Sequence, residues 1–181
     1  GPTLLTWLER NQPEVYAAIL EADKDSIQRF SGHGSAIAQV YNHIIMPLAS
    51  RRDKRTQVIW GIEDFIFRFK RRPEGMWLPE TAVDIETLEI LARNGIQFPI
   101  LAPWQANTTD IDTTEPYTVA LSKNHQVTVF FYDRDLSARI SFEPQVTTNA
   151  DLFAQNILQT QFETEKSRHG EAQLILVASD G

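Results

Sequence analysis

Gly75-Met76-Trp77-Leu78-Pro79-Glu80-Thr81-Ala82-Val83-Asp84 is the stretch whose reading decides the fold. A proline pushes the residue before it toward extended backbone, so Leu78 reads as the end of a short apolar strand. Asp84 has the chemistry of a helix N-cap for the apolar-periodic run from Ile85 to Ala92, and Gly95 closes that run. Glu80 is therefore expected at the C-terminal end of a strand, in the turn that leads into a helix. In α/β folds that rim is where catalytic groups collect. Trp77, three residues upstream, could offer a sugar ring an apolar face. The plainer alternative is a surface glutamate beside a core tryptophan.

Outward from this stretch, short apolar strands alternate with helical patterns, which implies a parallel sheet with crossover helices. Leu4 to Glu21 has helical apolar spacing. Gly32-His33-Gly34-Ser35 is a glycine-rich connection, and the apolar segment from Ala36 to Leu48 contains Tyr41-Asn42-His43. Asp53 can cap a helix to about Phe69. Ile96 to Ala102 is a buried-strand pattern, and the Thr- and Asp-rich segment from Trp104 to Pro116 reads as a loop. Thr118 to Leu121 and Gln126 to Tyr132 flank Ser122-Lys123-Asn124-His125 as a hairpin. Asn149 can cap a helix to about Glu165, and Gln173 to Ala178 is expected to be a last strand, with Asp180 at its end.

The chain has 181 residues, 42% hydrophobic and 23% charged, a composition suited to one soluble domain with a real core. Its net charge of -7 and pI of about 5.1 argue against a general nucleic-acid binder. The basic cluster Arg51-Arg52-Asp53-Lys54-Arg55 reads as a solvated helix start, and the one from Arg68 to Arg72 as the end of a helix. The absence of cysteine excludes disulfide and thiolate chemistry. No stretch approaches the roughly 18 apolar residues of a membrane span, and no signal peptide is visible. A cytoplasmic location fits. Both ends look cut, so the chain reads as a single fragment, residues 1–181, of a longer protein.

Glu80 and Asp180, each just past an expected parallel strand, could meet on one rim. Two carboxylates are the minimum equipment for glycoside hydrolysis. Asp133 also ends a strand; it could bind sugar hydroxyls or simply pair with Arg134 or the backbone. His33 and His43 could line a sugar or metal site, or be a turn residue and a satisfied core imidazole. Trp104 follows a strand and could face the same rim. Trp7 and Trp60 lie on helical apolar stripes and read as core. No His-x-x-x-His or Asp-His cluster suggests a dedicated zinc site, and no cofactor is implied.

The run Gly75-Met76-Trp77-Leu78-Pro79-Glu80 resembles the nucleophile motif of glycoside hydrolase family 57, and Ser179-Asp180-Gly181 looks like the opening of that family's acid/base motif, Asp-x-Glu-x-Phe-Gly. Gly32-His33-Gly34-Ser35 through Tyr41-Asn42-His43 to Pro47-Leu48 resembles its second block. Phe130-Phe131-Tyr132-Asp133 with Leu136-Ser137 resembles its Arg-Asp-x-x-Leu-Ser stretch, with Tyr132 where an Arg is usual. The likeness is greatest to a subgroup of large bacterial proteins. It implies part of an incomplete (β/α)7 barrel that lacks its first strand, carries a β-hairpin insertion and is completed by the remainder of the full-length chain. It implies Glu80 as nucleophile and Asp180 as general acid/base in retaining hydrolysis or transfer of α-glucan bonds, with an oligo- or polysaccharide partner and no membrane or nucleic acid. Trp77, His43, His33, Trp104 and Asp133 are the expected substrate-binding residues. The alternatives are a metal-dependent carbohydrate deacetylase and a non-catalytic glucan-binding domain.

Overall fold

The computed structural model describes residues 2–108 and 110–179. Their order is α1 (Pro2–Asn11), α2 (Pro13–Arg29), β1 (Ala38–Gln39), α3 (Arg51–Phe69), β2 (Gly75–Trp77), α4 (Ile85–Arg93), β3 (Phe98–Leu101), β4 (Tyr117–Ala120), β5 (Gln126–Phe131), α5 (Arg134–Phe142), α6 (Ala150–Phe153) and α7 (Thr164–His169). The strands form a five-stranded sheet in the order β1-β2-β3-β5-β4. β1 with β2, β2 with β3, and β3 with β5 are parallel, in registers that include Gln39 with Trp77, Met76 with Pro99, and Leu101 with Phe131. This is the mostly parallel α/β architecture that the alternating pattern predicts, with β4 and β5 as the hairpin. No helix of the described residues is long and apolar enough to cross a membrane.

The chain divides into two compact units, Gly1–Pro99 with Val119–Thr128 and Ile100–Thr118 with Val129–Gly181. The first is built on α3. Val58, Ile62 and Phe65 on its inner face are buried, as are Ala38 and Val40 at β1, Met76 and Leu78 at β2, and Leu88 and Leu91 of α4. α3 lies so close to β1 that a Cβ on Gly61 would fall 2.0 Å from the Gln39 carbonyl oxygen, so only glycine fits there. In the second unit Leu101, Ala102, Val129, Phe131 and Leu136 form the core.

Several elements differ from the sequence expectation for identifiable reasons. The first helix is two: Pro13 starts α2 at its first turn, where its missing N–H costs nothing, and ends α1 before it. Ser50, not Asp53, caps α3; its Oγ accepts from the Asp53 N–H and donates to the Asp53 carboxylate. The stretch after Asn149 is α6, then a π-turn and a 3₁₀ turn up to Gln161, with α7 starting only at Thr164. Residues 173–178 form no strand. Leu174 N–H donates to Thr114 O and Leu176 O accepts from Asp133 N–H, two isolated bonds rather than a ladder. Trp7 and Trp60 are exposed, not core; Trp60 packs edge-to-face on Tyr41, with ring centroids 5.5 Å apart.

Lys54, expected at a solvated helix start, is buried, and so is Arg68. Lys54 is 2% exposed, and its ammonium meets Asp84 at 2.5 Å and Glu86 at 3.1 Å. Arg68 is also buried, bonded to Asp64 on its own helix, to Glu9 and Thr6 of α1 and to Tyr16 of α2. It lies in the last turn of α3, as expected, and from there ties three helices together.

Candidate active site

The Glu80 turn has the most unusual backbone among the described residues. Leu78 is extended, at φ -101° and ψ 132°, as a residue before proline should be. Pro79 to Thr81 then make one tight turn in which Thr81 N–H donates to Leu78 O and Ala82 N–H to Pro79 O. Two consecutive side-chain-bearing residues, Glu80 at φ 54° and Thr81 at φ 51°, lie in the left-handed region. Such residues cost about 1–3 kcal/mol each and cluster at functional sites. The turn is held on both sides: Leu78, Pro79 and Thr81 are buried while Glu80 is exposed. Thr81 Oγ1 donates to Glu80 O at 2.7 Å.

Beyond the turn, Asp84 is the N-cap that the sequence predicts. Its Oδ1 accepts from Thr87 N–H at 2.8 Å and from Thr87 Oγ1, and its Oδ2 takes Lys54. Burial would push the Asp84 carboxyl up, but the bonds from Lys54 and Thr87 outweigh it and hold the pKa below the ordinary 3.8. Burial would likewise pull the Lys54 ammonium down, and the two acids reverse that and raise it above 10.5. No sequence pattern pairs residues 54 and 84, because the contact joins α3 to α4.

The turn aims Glu80 at His43. Glu80 Oε1 lies 3.0 Å from His43 Nε2, the imidazole donating when that nitrogen carries its proton. The two side chains are 72% and 69% exposed. A pair so exposed contributes about 0–1 kcal/mol, less than the two left-handed residues cost. Stability therefore does not account for this arrangement. His43 is set by the segment after β1, whose Tyr41 N–H donates to Gln57 O at 3.1 Å and whose Asn42 N–H donates to Gln57 Oε1 at 2.7 Å. Trp77, half-buried, is the last residue of β2, three positions before Glu80.

His33 is not brought to Glu80. Its Nδ1 lies 3.0 Å from both carboxylate oxygens of Glu74, the residue before β2. Glu80 follows the same strand, and about 13 Å of extended chain separates residue 74 from residue 78. The loop carrying His33 precedes β1, so it falls at the N-terminal ends of two parallel strands. Its geometry comes from Asp23, a buried carboxylate that takes Arg71 Nε at 2.8 Å, Arg71 Nη2 at 2.7 Å and Ala36 N–H at 2.8 Å.

In the second unit Asp133 caps α5, accepting from Leu136 N–H at 2.8 Å, and its own N–H donates to Leu176 O. One carboxylate oxygen is thus committed to the helix. Ala178 N–H donates to Ser137 Oγ at 3.1 Å, which ties the segment before Asp180 to α5. Asp180 lies outside the described residues. Trp104, in the turn after β3, is 60% exposed and contacts Tyr132 and Arg134. Sequence reasoning missed Arg134 as its neighbour, because the approach depends on the pairing of β3 with β5. Among the described residues no group of three or more His, Asp or Glu side chains is placed to hold a metal ion.

Comparison with known proteins places this chain in a family. Over 100 residues, 54% of this chain and 13% of the relative, it is 29% identical to alpha-amylase 1 of Dictyoglomus thermophilum. It is similar in fold to an exo-type maltose-forming amylase from Pyrococcus sp. ST04, with a TM-score of 0.76 at 19% identity over 99% of this chain and 29% of that one. It is also similar to a GH57-type branching enzyme from Pyrococcus horikoshii, with a TM-score of 0.63 at 20% identity over 93% of this chain and 42% of that one. The chain thus spans less than half the length of each of these relatives. The family model for glycosyl hydrolase family 57 matches residues 3–181, and the chain belongs to that family.

Proposed function

We propose that this chain is catalytic sequence of an α-glucan-active enzyme that hydrolyses or transfers glycosidic bonds with retention, with Glu80 as nucleophile and Asp180 as general acid/base. The observation that carries the reading is the Glu80 carboxylate, exposed on two consecutive left-handed residues and met by His43 at 3.0 Å. The amylase and branching-enzyme names of the relatives support the substrate class. In the first step a Glu80 oxygen attacks the anomeric carbon, and the bond to the leaving oxygen breaks as Asp180 gives that oxygen its proton. In the second, Asp180 takes a proton from water or from an acceptor hydroxyl, whose oxygen displaces Glu80. His43, donating to one oxygen of Glu80, fixes the carboxylate so that the other faces the sugar. Trp77, Trp104 and Asp133 are proposed to contact substrate. His33, at the other end of β2, is not retained in the proposed site.

The test is Glu80→Gln in the full-length protein with maltoheptaose as substrate. Product formation should fall at least about a thousandfold while the glucan still binds, and wild-type product should emerge first as the retained anomer by NMR. A variant keeping a tenth of wild-type turnover would remove Glu80 from the nucleophile role. First release of the inverted anomer would exclude the two-step route.

A further inference from the structure

The second unit carries an exposed aromatic platform in which Trp104 and Arg134 sit where stability alone would not put them. Trp104 lies in the turn Pro103–Gln105, fixed by Ala102 N–H donating to Gln105 Oε1 at 3.0 Å. Its neighbour Tyr132 follows β5, which runs parallel to β3 with Leu101 opposite Phe131; Tyr132 N–H donates to Leu101 O at 3.1 Å. The Trp104 and Tyr132 rings are 5.9 Å apart at 89°, edge against face. Arg134 holds its guanidinium carbon 5.5 Å from the Trp104 ring centre. With Arg134 over the ring and Tyr132 beside it, the indole is still 60% exposed.

Arg134 is the first residue of α5, where the helix dipole disfavours a cation. A large apolar surface left in water and a cation at the wrong helix end both work against stability, and they meet at one point. A pyranose can use both: its axial C–H groups pack on the exposed part of the indole, and its hydroxyls accept from the guanidinium fork. The acids Asp133 and Asp135 on either side of Arg134 disfavour an anionic sugar. We propose that Trp104, Tyr132 and Arg134 form a sugar-binding subsite for a neutral glucose unit of an α-glucan, with Arg134 as the residue that selects hydroxyl placement. This inference rests on the glucan reading above and adds a subsite to it.

The experiment measures maltoheptaose binding by calorimetry in the full-length protein carrying Glu80→Gln, which keeps the ligand intact. Adding Trp104→Ala should weaken binding roughly tenfold, the equivalent of about 1.4 kcal/mol, and Trp104→Tyr should keep most of the affinity. Arg134→Gln should weaken it about three- to tenfold, and Arg134→Lys should not restore it, since lysine lacks the planar fork. Unchanged affinity in a folded Trp104→Ala protein would overturn the subsite and leave the Glu80 reading standing. No binding and no turnover by the unsubstituted protein would overturn both. A glucuronic acid oligomer binding more tightly than maltoheptaose, and losing that advantage with Arg134→Gln, would overturn the neutral-sugar assignment.

Discussion

Lys54→Met tests how the strained turn is held. The substitution keeps the length and apolar stem of the side chain and removes its charge from a position only 2% exposed. Asp84 and Glu86 are left beside each other with their shared cation gone. Removing one partner of a fully buried ion pair costs about 3–5 kcal/mol. Here the two acids are 35% exposed and can take up water, and Arg51 lies 3.4 Å from Glu86, so the loss should be lower, about 2–3 kcal/mol. For a chain of this size that lowers Tm by roughly 4–12 °C. The loss should also depend on pH. Asp84 titrates below its ordinary value in the folded protein, so its contribution is present above about pH 4 and disappears as pH falls through the folded pKa. Lys54 titrates above 10.5, so its contribution is complete below that and disappears as pH rises through the folded pKa. The difference between wild type and Lys54→Met should thus be greatest across the neutral range and shrink in strong acid and strong base. Urea unfolding of both proteins over a pH series measures it. A neutral-pH difference below about 0.5 kcal/mol, or one of constant size from acid to neutral, would refute the anchoring role of Lys54.

Two further substitutions separate structure from function in the same unit. Gly61→Ala places a methyl 2.0 Å from the Gln39 carbonyl oxygen; neither backbone can yield locally, so at least about 1–3 kcal/mol of stability should be lost by denaturant unfolding, and a neutral result would contradict the close seat of α3 on β1. Glu80→Gly relieves about 1–2 kcal/mol of left-handed strain, forfeits an exposed pair of about 0–1 kcal/mol, and adds unfolded-state freedom of about 0.4–1 kcal/mol. Its stability should fall between about 1 kcal/mol below wild type and about 1.6 kcal/mol above it, while product formation vanishes; a loss above about 2 kcal/mol would make Glu80 a structural residue.

The architecture was legible where local chemistry and tertiary need agree. Proline after Leu78, Asp84 before an amphipathic run and Gly95 after it mark a strand, a turn and a helix, and those elements are present. Legibility failed where long-range contacts decide. The apolar run at residues 173–178 has strand composition, yet its backbone makes isolated bonds, to Thr114, Asp133 and Ser137, rather than a ladder. Lys54 sits in a run of charges that would face water on any isolated helix; only the approach of α4 buries it. His33 lies in the glycine-rich connection and His43 in the apolar segment after it, and the sequence offers both as candidate site residues. Because β1 lies between them, they fall at opposite strand ends, one on Glu74 and the other on Glu80. The positive φ of Glu80 carries no sequence mark, since glutamate is a poor choice for it.

The contact between His43 and Glu80 is set from a third element. α3 reaches both sides of it: Gln57 receives the Tyr41 and Asn42 N–H groups just before His43, and Lys54, one turn earlier, grips Asp84 just after Glu80. Gly61, one turn later, seats the same helix directly on β1. Three positions spaced at helical periodicity thus present one face of α3 to the two segments that carry the exposed pair. The pair contributes little to stability by itself and sits on strained backbone, so its geometry must be imposed by bonds elsewhere. Burial supplies those bonds with rigidity, because a buried hydrogen-bonded ion pair cannot let go without leaving charge uncompensated. This division of labour explains why Glu80 and His43, expected to do the chemistry, are exposed while a lysine 26 positions upstream of Glu80 is buried.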